Sequence, residues 1–156
     1  MDKKTIPFIS LPTTIFFLIA VMVVLLDQIT KYFVREKIHI GTSLIIIPNI
    51  LYFTHTTNTG ASFSLLTNFS FFLTIIAIVV VVGTIFFYKK IPDKYRLASA
   101  LILGGTAGNL FDRLLFGRVT DFIDFRIWPI FNIADSSITV AAILLLIISF
   151  SSSHSS

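Results

Sequence analysis

Two aspartates have the residue type and setting for shared acid–base chemistry. Asp121 lies in the segment Gly117-Arg118-Val119-Thr120-Asp121-Phe122-Ile123-Asp124, and Asp135 in Phe131-Asn132-Ile133-Ala134-Asp135-Ser136-Ser137. The chain has only eight acidic residues, so a concentration of them beside apolar segments is a signal. A carboxylate placed in a bilayer costs about 2.5–3.5 kcal/mol on insertion scales unless a partner compensates it. Two carboxylates held close do not both ionise easily, so they share a proton. A pair of that kind can activate a water with one member and protonate or polarise a carbonyl with the other, which is the chemistry of aspartic peptide-bond hydrolysis. Asp124 is a third candidate, and spacing alone does not choose two of the three.

The elements that must position these groups are membrane helices. Of the 156 residues, 55% are hydrophobic and 13% charged, against about 25% charged in soluble domains. Mean hydropathy is +0.92. Apolar runs predict four spans in an all-α bundle, at about residues 13–34, 69–88, 97–115 and 134–150, within one domain covering 1–156. Lys3 and Lys4 precede an apolar run that could pass for a signal peptide. It continues into Asp27-Gln28-Ile29-Thr30-Lys31 without a small-residue cleavage site, so it reads as a retained first helix. Between the first two spans, Ser43 to Thr54 is apolar, partly β-branched and split by Pro48-Asn49, which predicts short strands around a turn on the membrane surface. Ser151 to Ser156 reads as a frayed tail.

Four spans put both termini on one side. Lys3, Lys4, Lys89, Lys90, Lys94 and Arg96 fall on that side, and Lys31, Arg35, Lys37, Arg113, Arg118 and Arg126 on the other, so the count is even. The second set is interleaved with acids, as site residues would be, which favours cytoplasmic termini.

Further polar residues collect at the end of the spans that carries the aspartates. Asp27 and Lys31 share a helix face one turn apart and read as an ion pair anchoring the helix end. Asn58-Thr59-Gly60 precedes the second span and reads as a helix cap with a tight approach at the glycine. Gly104 and Gly108 form a small-xxx-small pattern for close helix packing. That pattern leaves Asn109, Asp112 and Arg113 unexplained, and Arg113 suits clamping a carboxylate or peptide carbonyl. Taken singly, Asp135 reads as a plain helix cap and Asp121 as a loop carboxylate paired with Arg118.

Other classes are disfavoured. Cysteine is absent, which excludes disulfides and a thiol nucleophile. His39, His55 and His154 lack metal-ligand spacing, so no metal is expected. The net charge of +4 gathers at span ends, with no basic stripe for nucleic acid. A proton-coupled transporter would carry acids at several depths, whereas here they crowd one face. A structural assembly subunit is the remaining alternative.

Taken together, five motifs resemble those of the bacterial lipoprotein signal peptidase (signal peptidase II) family. They are Asp27-Gln28-x-x-Lys31, Asn58-Thr59-Gly60-Ala61-Ser62-Phe63, Gly104-Gly105-x-x-Gly108-Asn109-x-x-Asp112-Arg113, Val119-Thr120-Asp121-Phe122 and Phe131-Asn132-x-Ala134-Asp135-Ser136. The resemblance spans Asp27 to about Ala142. It implies a four-helix inner-membrane aspartic peptidase with a small extracytoplasmic sheet and its active site near the outer face. It implies removal of the signal peptide from prolipoproteins just before a diacylglyceryl-modified cysteine, with membrane lipid as surroundings, no cofactor and a monomeric state. The resemblance maps the catalytic pair to Asp121 and Asp135, and supporting residues to Asp27, Lys31, Asn58, Gly60, Asn109, Asp112, Arg113, Asn132 and Ala134. The connection Phe122 to Ala134 looks shorter than in many relatives, which often carry a membrane-surface loop there; it retains Trp128, Pro129 and Phe131.

Overall fold

The protein is described from a computed structural model covering residues 11–60 and 69–153. Helix α1 (Thr13–Lys37) leads into strands β1 (Ser43–Ile47) and β2 (Leu51–Asn58). Helix α2 (Phe69–Phe87) and a 3₁₀ turn at Tyr88–Lys90 follow, then α3 (Asp93–Phe116), β3 (Val119–Asp124) and α4 (Ile133–Ser153). The expected helices are present, with shifted ends. α3 starts four residues early because Pro92 precedes it with extended backbone and Asp93 opens its first turn, bonded to Arg96 at 3.0 Å. α4 takes in Ser151–Ser153, expected to fray. Lys3, Lys4, His154 and the Ala61-Ser62-Phe63 part of the second motif lie outside the described residues.

Among the described residues three helices are long and apolar enough to cross a membrane, α1, α2 and α4. α3 is not among them. It sits between the other three and contacts each, so much of its surface meets protein. Enclosure frees it to carry Gly104, Gly105, Gly108, Asn109 and Asp112, all buried. The outer helices are inside out by soluble standards: Leu18, Val21, Phe71, Phe72, Val79 and Leu146 are exposed while Asp27 and Lys31 are fully buried. In hydrocarbon that arrangement is the stable one.

The glycines let α3 touch two neighbours at once. A methyl on Gly104 would meet the Ala20 carbonyl of α1 at 2.7 Å, and one on Gly108 would meet the Asp27 carboxylate at 2.7 Å and the Ala134 side chain at 3.4 Å. The small-xxx-small reading therefore holds, with α1 and α4 converging on one glycine ridge. Away from the polar end, Phe16, Ala20, Ala100 and Leu103 form an apolar core.

Strands β1, β2 and β3 form one antiparallel sheet in that order. The expected hairpin is present, with Asn49 in the left-handed conformation (φ 62°) at its turn. β3 is a correction: Asp121, read from the sequence as a loop carboxylate, is a strand residue opposite Thr56. Val119, Thr120, Phe122 and Ile123 are β-branched or aromatic, and pairing with β2 overrides the poor strand preference of aspartate.

Candidate active site

The site is built where α1, α3, α4 and β3 meet. In a strand, residues an odd number apart face opposite ways, so Asp121 and Asp124 are separated by the sheet itself. Asp121 turns toward the helices. Asp124 turns toward the hairpin, where its Oδ2 accepts from Thr54 Oγ1 at 2.6 Å and its Oδ1 from the Arg126 backbone N–H at 2.8 Å. Burial opposes ionisation of Asp124, but those hydrogen bonds and the Arg126 charge outweigh it and hold the carboxyl below the usual range.

Asp121 is 2% exposed, and both its oxygens are held by neutral amides. Asn132 Nδ2 donates to Oδ1 at 2.6 Å and Asn58 Nδ2 to Oδ2 at 3.0 Å. The orientation of Asn58 is fixed in turn, since its Oδ1 accepts from the Gly60 N–H at 2.6 Å. Gly60 has φ 79°, a conformation that favours glycine. Asn58 therefore closes a strand, where the sequence reading had it capping a helix. Burial, reinforced by the nearby Asp135 charge, pushes the Asp121 carboxyl up to about 6, against the lowering effect of its amide partners.

Asp135 is not a helix cap. The cap is Asn132, just before α4, whose Oδ1 accepts from the Asp135 backbone N–H at 2.8 Å. Because its oxygen is so engaged, the Asn132 amide nitrogen must face Asp121. One side chain thus fixes both aspartates. Asn109 Nδ2 donates to Asp135 Oδ1 at 2.7 Å, while its Oδ1 accepts from Lys31 Nζ at 2.9 Å and Asn132 Nδ2 at 3.1 Å. An ammonium has no acceptor, so Lys31 settles which way the Asn109 amide points.

Behind the amides lies a charge cluster. Lys31 Nζ bridges Asp27 at 2.8 Å and Asp112 at 3.4 Å, all three fully buried. Asp27 Oδ1 also accepts from the Ala134 backbone N–H at 2.9 Å, tying α1 to the first turn of α4. Asp112 accepts from the Thr120 N–H at 2.8 Å, and Arg35 reaches both Asp112 (3.4 Å) and Thr120 Oγ1 (3.2 Å). The isolated Asp27–Lys31 pair expected at a helix end is thus part of a shared network.

Gln28, Arg35 and Thr120 were missed as site residues. Gln28 Nε2 donates to Asp27, the Gly108 carbonyl and Asp112. The available signal was position: Arg35 continues the Asp27–Lys31 helix face, and Gln28 and Thr120 sit inside quoted motifs. Arg113 is half-buried, and its Nε is buried without a hydrogen-bond partner. No ion pair joins Arg113 to an acid among the described residues, and none joins Arg118 to Asp121, contrary to the sequence reading of that pair. Beside Asp135, a cleft of about 630 Å³ is lined by Phe125, Trp128, Pro129, Ile130, Phe131, Ser136, Thr139 and Val140.

Known proteins share this chain's sequence pattern and fold. Residues 19–151 match the family described as signal peptidase (SPase) II. The lipoprotein signal peptidase of Halothermothrix orenii is 39% identical over 133 residues, covering 84% of this chain and 92% of that protein. That of Staphylococcus aureus strain JH9 is 42% identical over 138 residues, covering 83% and 84%. Among solved structures, a bacterial membrane enzyme at 2.3 Å resolution superposes with TM-score 0.80 at 39% identity, covering 88% of each chain. Another at 1.9 Å superposes with TM-score 0.83 at 38% identity, covering 91% of this chain and 96% of that one. With its sequence matched along most of its length and its fold shared at that level of identity, the chain belongs to the signal peptidase II family of membrane proteases.

Proposed function

We propose that Asp121 and Asp135 are the catalytic dyad of this peptidase, and that it removes signal peptides from prolipoproteins just before a diacylglyceryl-modified cysteine. The observation that carries the dyad is the Asn132 side chain, whose two ends hold Asp121 and the Asp135 backbone within one polar pocket. Neither carboxylate has a cation within ion-pair distance among the described residues, so neither is locked into its charged form.

In the reaction, the ionised member of the pair takes a proton from a water. The water oxygen attacks the scissile carbonyl while the protonated member donates to the carbonyl oxygen. The resulting gem-diol collapses: one of its hydroxyls returns its proton to the ionised carboxylate, the C–N bond breaks, and the leaving nitrogen takes a proton from the other carboxyl, which leaves one proton between the two. One proton serves the two carboxyls, and the mechanism assigns it to neither residue alone. Asn58, Asn109 and Asn132 orient the carboxyls. The unpartnered Arg113 Nε has a free donor for a substrate carbonyl. The apolar cleft beside Asp135 suits the lipid-bearing side of the substrate, each buried CH₂ contributing about 0.8 kcal/mol.

The chain is one domain and works as a monomer. α3 is a fourth span, enclosed by the others, so both termini lie in the cytoplasm and the dyad faces the outer side of a bacterial cytoplasmic membrane. The exposed apolar strand β1 rests on the outer leaflet. Buried charges gather at one end of the bundle while Phe16, Ala20, Ala100 and Leu103 fill the other, an arrangement that disfavours a proton relay across the membrane.

Purified protein should cut a diacylglyceryl-modified prolipoprotein and leave the unlipidated precursor largely intact; equal rates on both would refute the lipid requirement. Reporters fused after Lys90 and after Ser156 should read cytoplasmic and one inserted near Pro48 external. An external reading at Lys90 inverts the topology.

A further inference from the structure

The dyad chemistry makes no use of Arg126, yet Arg126 is tightly constrained within the connection between β3 and α4. Its backbone is left-handed, with φ 65°, a region that side chains bearing a Cβ rarely occupy. Three contacts hold it there. Its N–H donates to Asp124 Oδ1 at 2.8 Å. Its guanidinium lies over the Tyr52 ring, 4.0 Å from the centroid. Its Nη2 donates to Ser43 Oγ at 3.2 Å, and Ser43 is hydrogen-bonded to Thr54, the residue that holds Asp124 from the other side. The ring of contacts closes on itself, joining the hairpin to the end of β3. The Arg126–Asp124 ion pair is long (3.5 Å) and half-exposed, so by itself it would count for little. The backbone hydrogen bond to a buried carboxylate and the stacking on Tyr52 give the ring its geometry.

What lies beyond the ring is the wall of the cleft over Asp135. Phe125 stacks on Phe131 at 6.0 Å, and Phe131 pairs with Ile123 through backbone hydrogen bonds, which pins both ends of the loop. Its tip is unsupported: Ile127 is 91% exposed and Trp128 69%. Trp128 nonetheless lines the cleft with Asp135.

We propose that Arg126 is a positioning residue, latched by Asp124 and Tyr52, that holds the 125–131 loop in place as the wall of the substrate cleft. The inference rests on the peptidase reading above and adds a division of labour to it. The latch acts on substrate capture, not on the chemical step, because it touches neither dyad oxygen. A loop that must be ordered on binding lowers apparent affinity by the fraction of time it is already in place. If unlatching leaves that fraction at about one-tenth, KM rises about tenfold while kcat stays within about twofold.

Trp128 is the single tryptophan of the chain, so its fluorescence reports on the loop with no added label. Steady-state anisotropy of the free protein in detergent micelles is compared for wild type, Arg126→Ala, Tyr52→Leu and Tyr52→Phe, and each is assayed for kcat and KM on a diacylglyceryl-modified precursor. Arg126→Ala and Tyr52→Leu should lower the anisotropy and raise KM about tenfold with kcat nearly unchanged. Tyr52→Phe keeps the stacking face and should behave as wild type. Unchanged anisotropy in the first two overturns the proposal, as does a loosened loop with wild-type KM, or a loss carried in kcat. Tyr52→Leu leaves the Asp124 ion pair intact, so the latch can be judged even if Arg126→Ala does not fold. The anisotropy needs no substrate: a wild type that failed to cut the lipidated precursor would refute the peptidase reading without touching that measurement.

Discussion

Two groups of buried aspartates lie side by side in this protein and are treated in opposite ways. Asp27 and Asp112 are saturated: between them they take Lys31, Arg35, Gln28 and two backbone N–H groups. Asp121 and Asp135 receive side-chain donors from neutral amides alone, Asn58, Asn109 and Asn132. A cation at contact distance would fix a carboxylate in its charged form; an amide orients it and leaves its proton exchangeable. The first group is an answer to burial. The second leaves part of the burial penalty standing, which keeps the Asp121 carboxyl raised to about 6.

The sharpest way to break the contrast is to remove exchangeable protons from one group and charge balance from the other. Asp121→Asn and Asp135→Asn should each lower cleavage by about 10³-fold or more while the protein stays folded, because asparagine fills the space but cannot cycle a proton. Asp124→Asn, across the sheet, should retain most activity; if it is dead and Asp121→Asn active, the pair is misassigned. Lys31→Met should do the reverse damage. It strands the buried Asp27 carboxylate and leaves Asp112 with Arg35 as its one remaining cation, costs about 3–5 kcal/mol, and should appear as a lowered melting temperature in detergent and poor accumulation. A Lys31→Met protein as stable as wild type would show that the saturated cluster is not structural.

Smaller effects sharpen the picture. Arg113→Lys keeps the charge but loses the planar fork, and should reduce cleavage by about tenfold, about 1.4 kcal/mol of transition-state stabilisation. Arg118→Lys, in an exposed turn, should be much milder. Near-normal rates for Arg113→Lys would make that residue a helix-end anchor. The pH profile gives the finest test. A raised carboxyl is protonated below its folded value and loses that proton above it. The Asp121 carboxyl, raised to about 6, is ionised above that value, so kcat/KM should fall by up to tenfold per pH unit on the alkaline limb of its profile. The Asn58 hydrogen bond pulls that limb down, so Asn58→Ala should move it to higher pH. A limb that shifts to lower pH would contradict the assigned role of the amide.

The helices and the hairpin were legible in the sequence because apolar length and the Pro48-Asn49 break are local signals. β3 was not, because its strand character comes from pairing with β2, more than sixty residues earlier in the chain. The motif residues converge as the spacing suggested, but their partners did not follow from spacing. Asp135 looks like a cap until Asn132 is seen holding its N–H, and Asn58 looks like a cap until its strand is seen. Gln28 and Arg35 escaped notice because a polar residue one turn along a helix face is ordinary until a neighbouring helix brings Asp112 against it. Arg113 was singled out by spacing as a clamp for a carboxylate or a peptide carbonyl, and the fold leaves its buried Nε without a hydrogen-bond partner.

The hydrogen bond from the Ala134 N–H to Asp27 joins the first helix to the last. The first and last helices of the described residues therefore meet at the site. A ribosome delivers α1 early and α4 last, and until α4 docks there is no Asp135, no Asn132 and nothing to complete the pair with Asp121. On the proposed dyad, a copy made only as far as α3 lacks half of its catalytic pair, and competence to cut would come only once α4 docks, so the order of synthesis would serve the purpose that a removable pro-segment serves in other proteases.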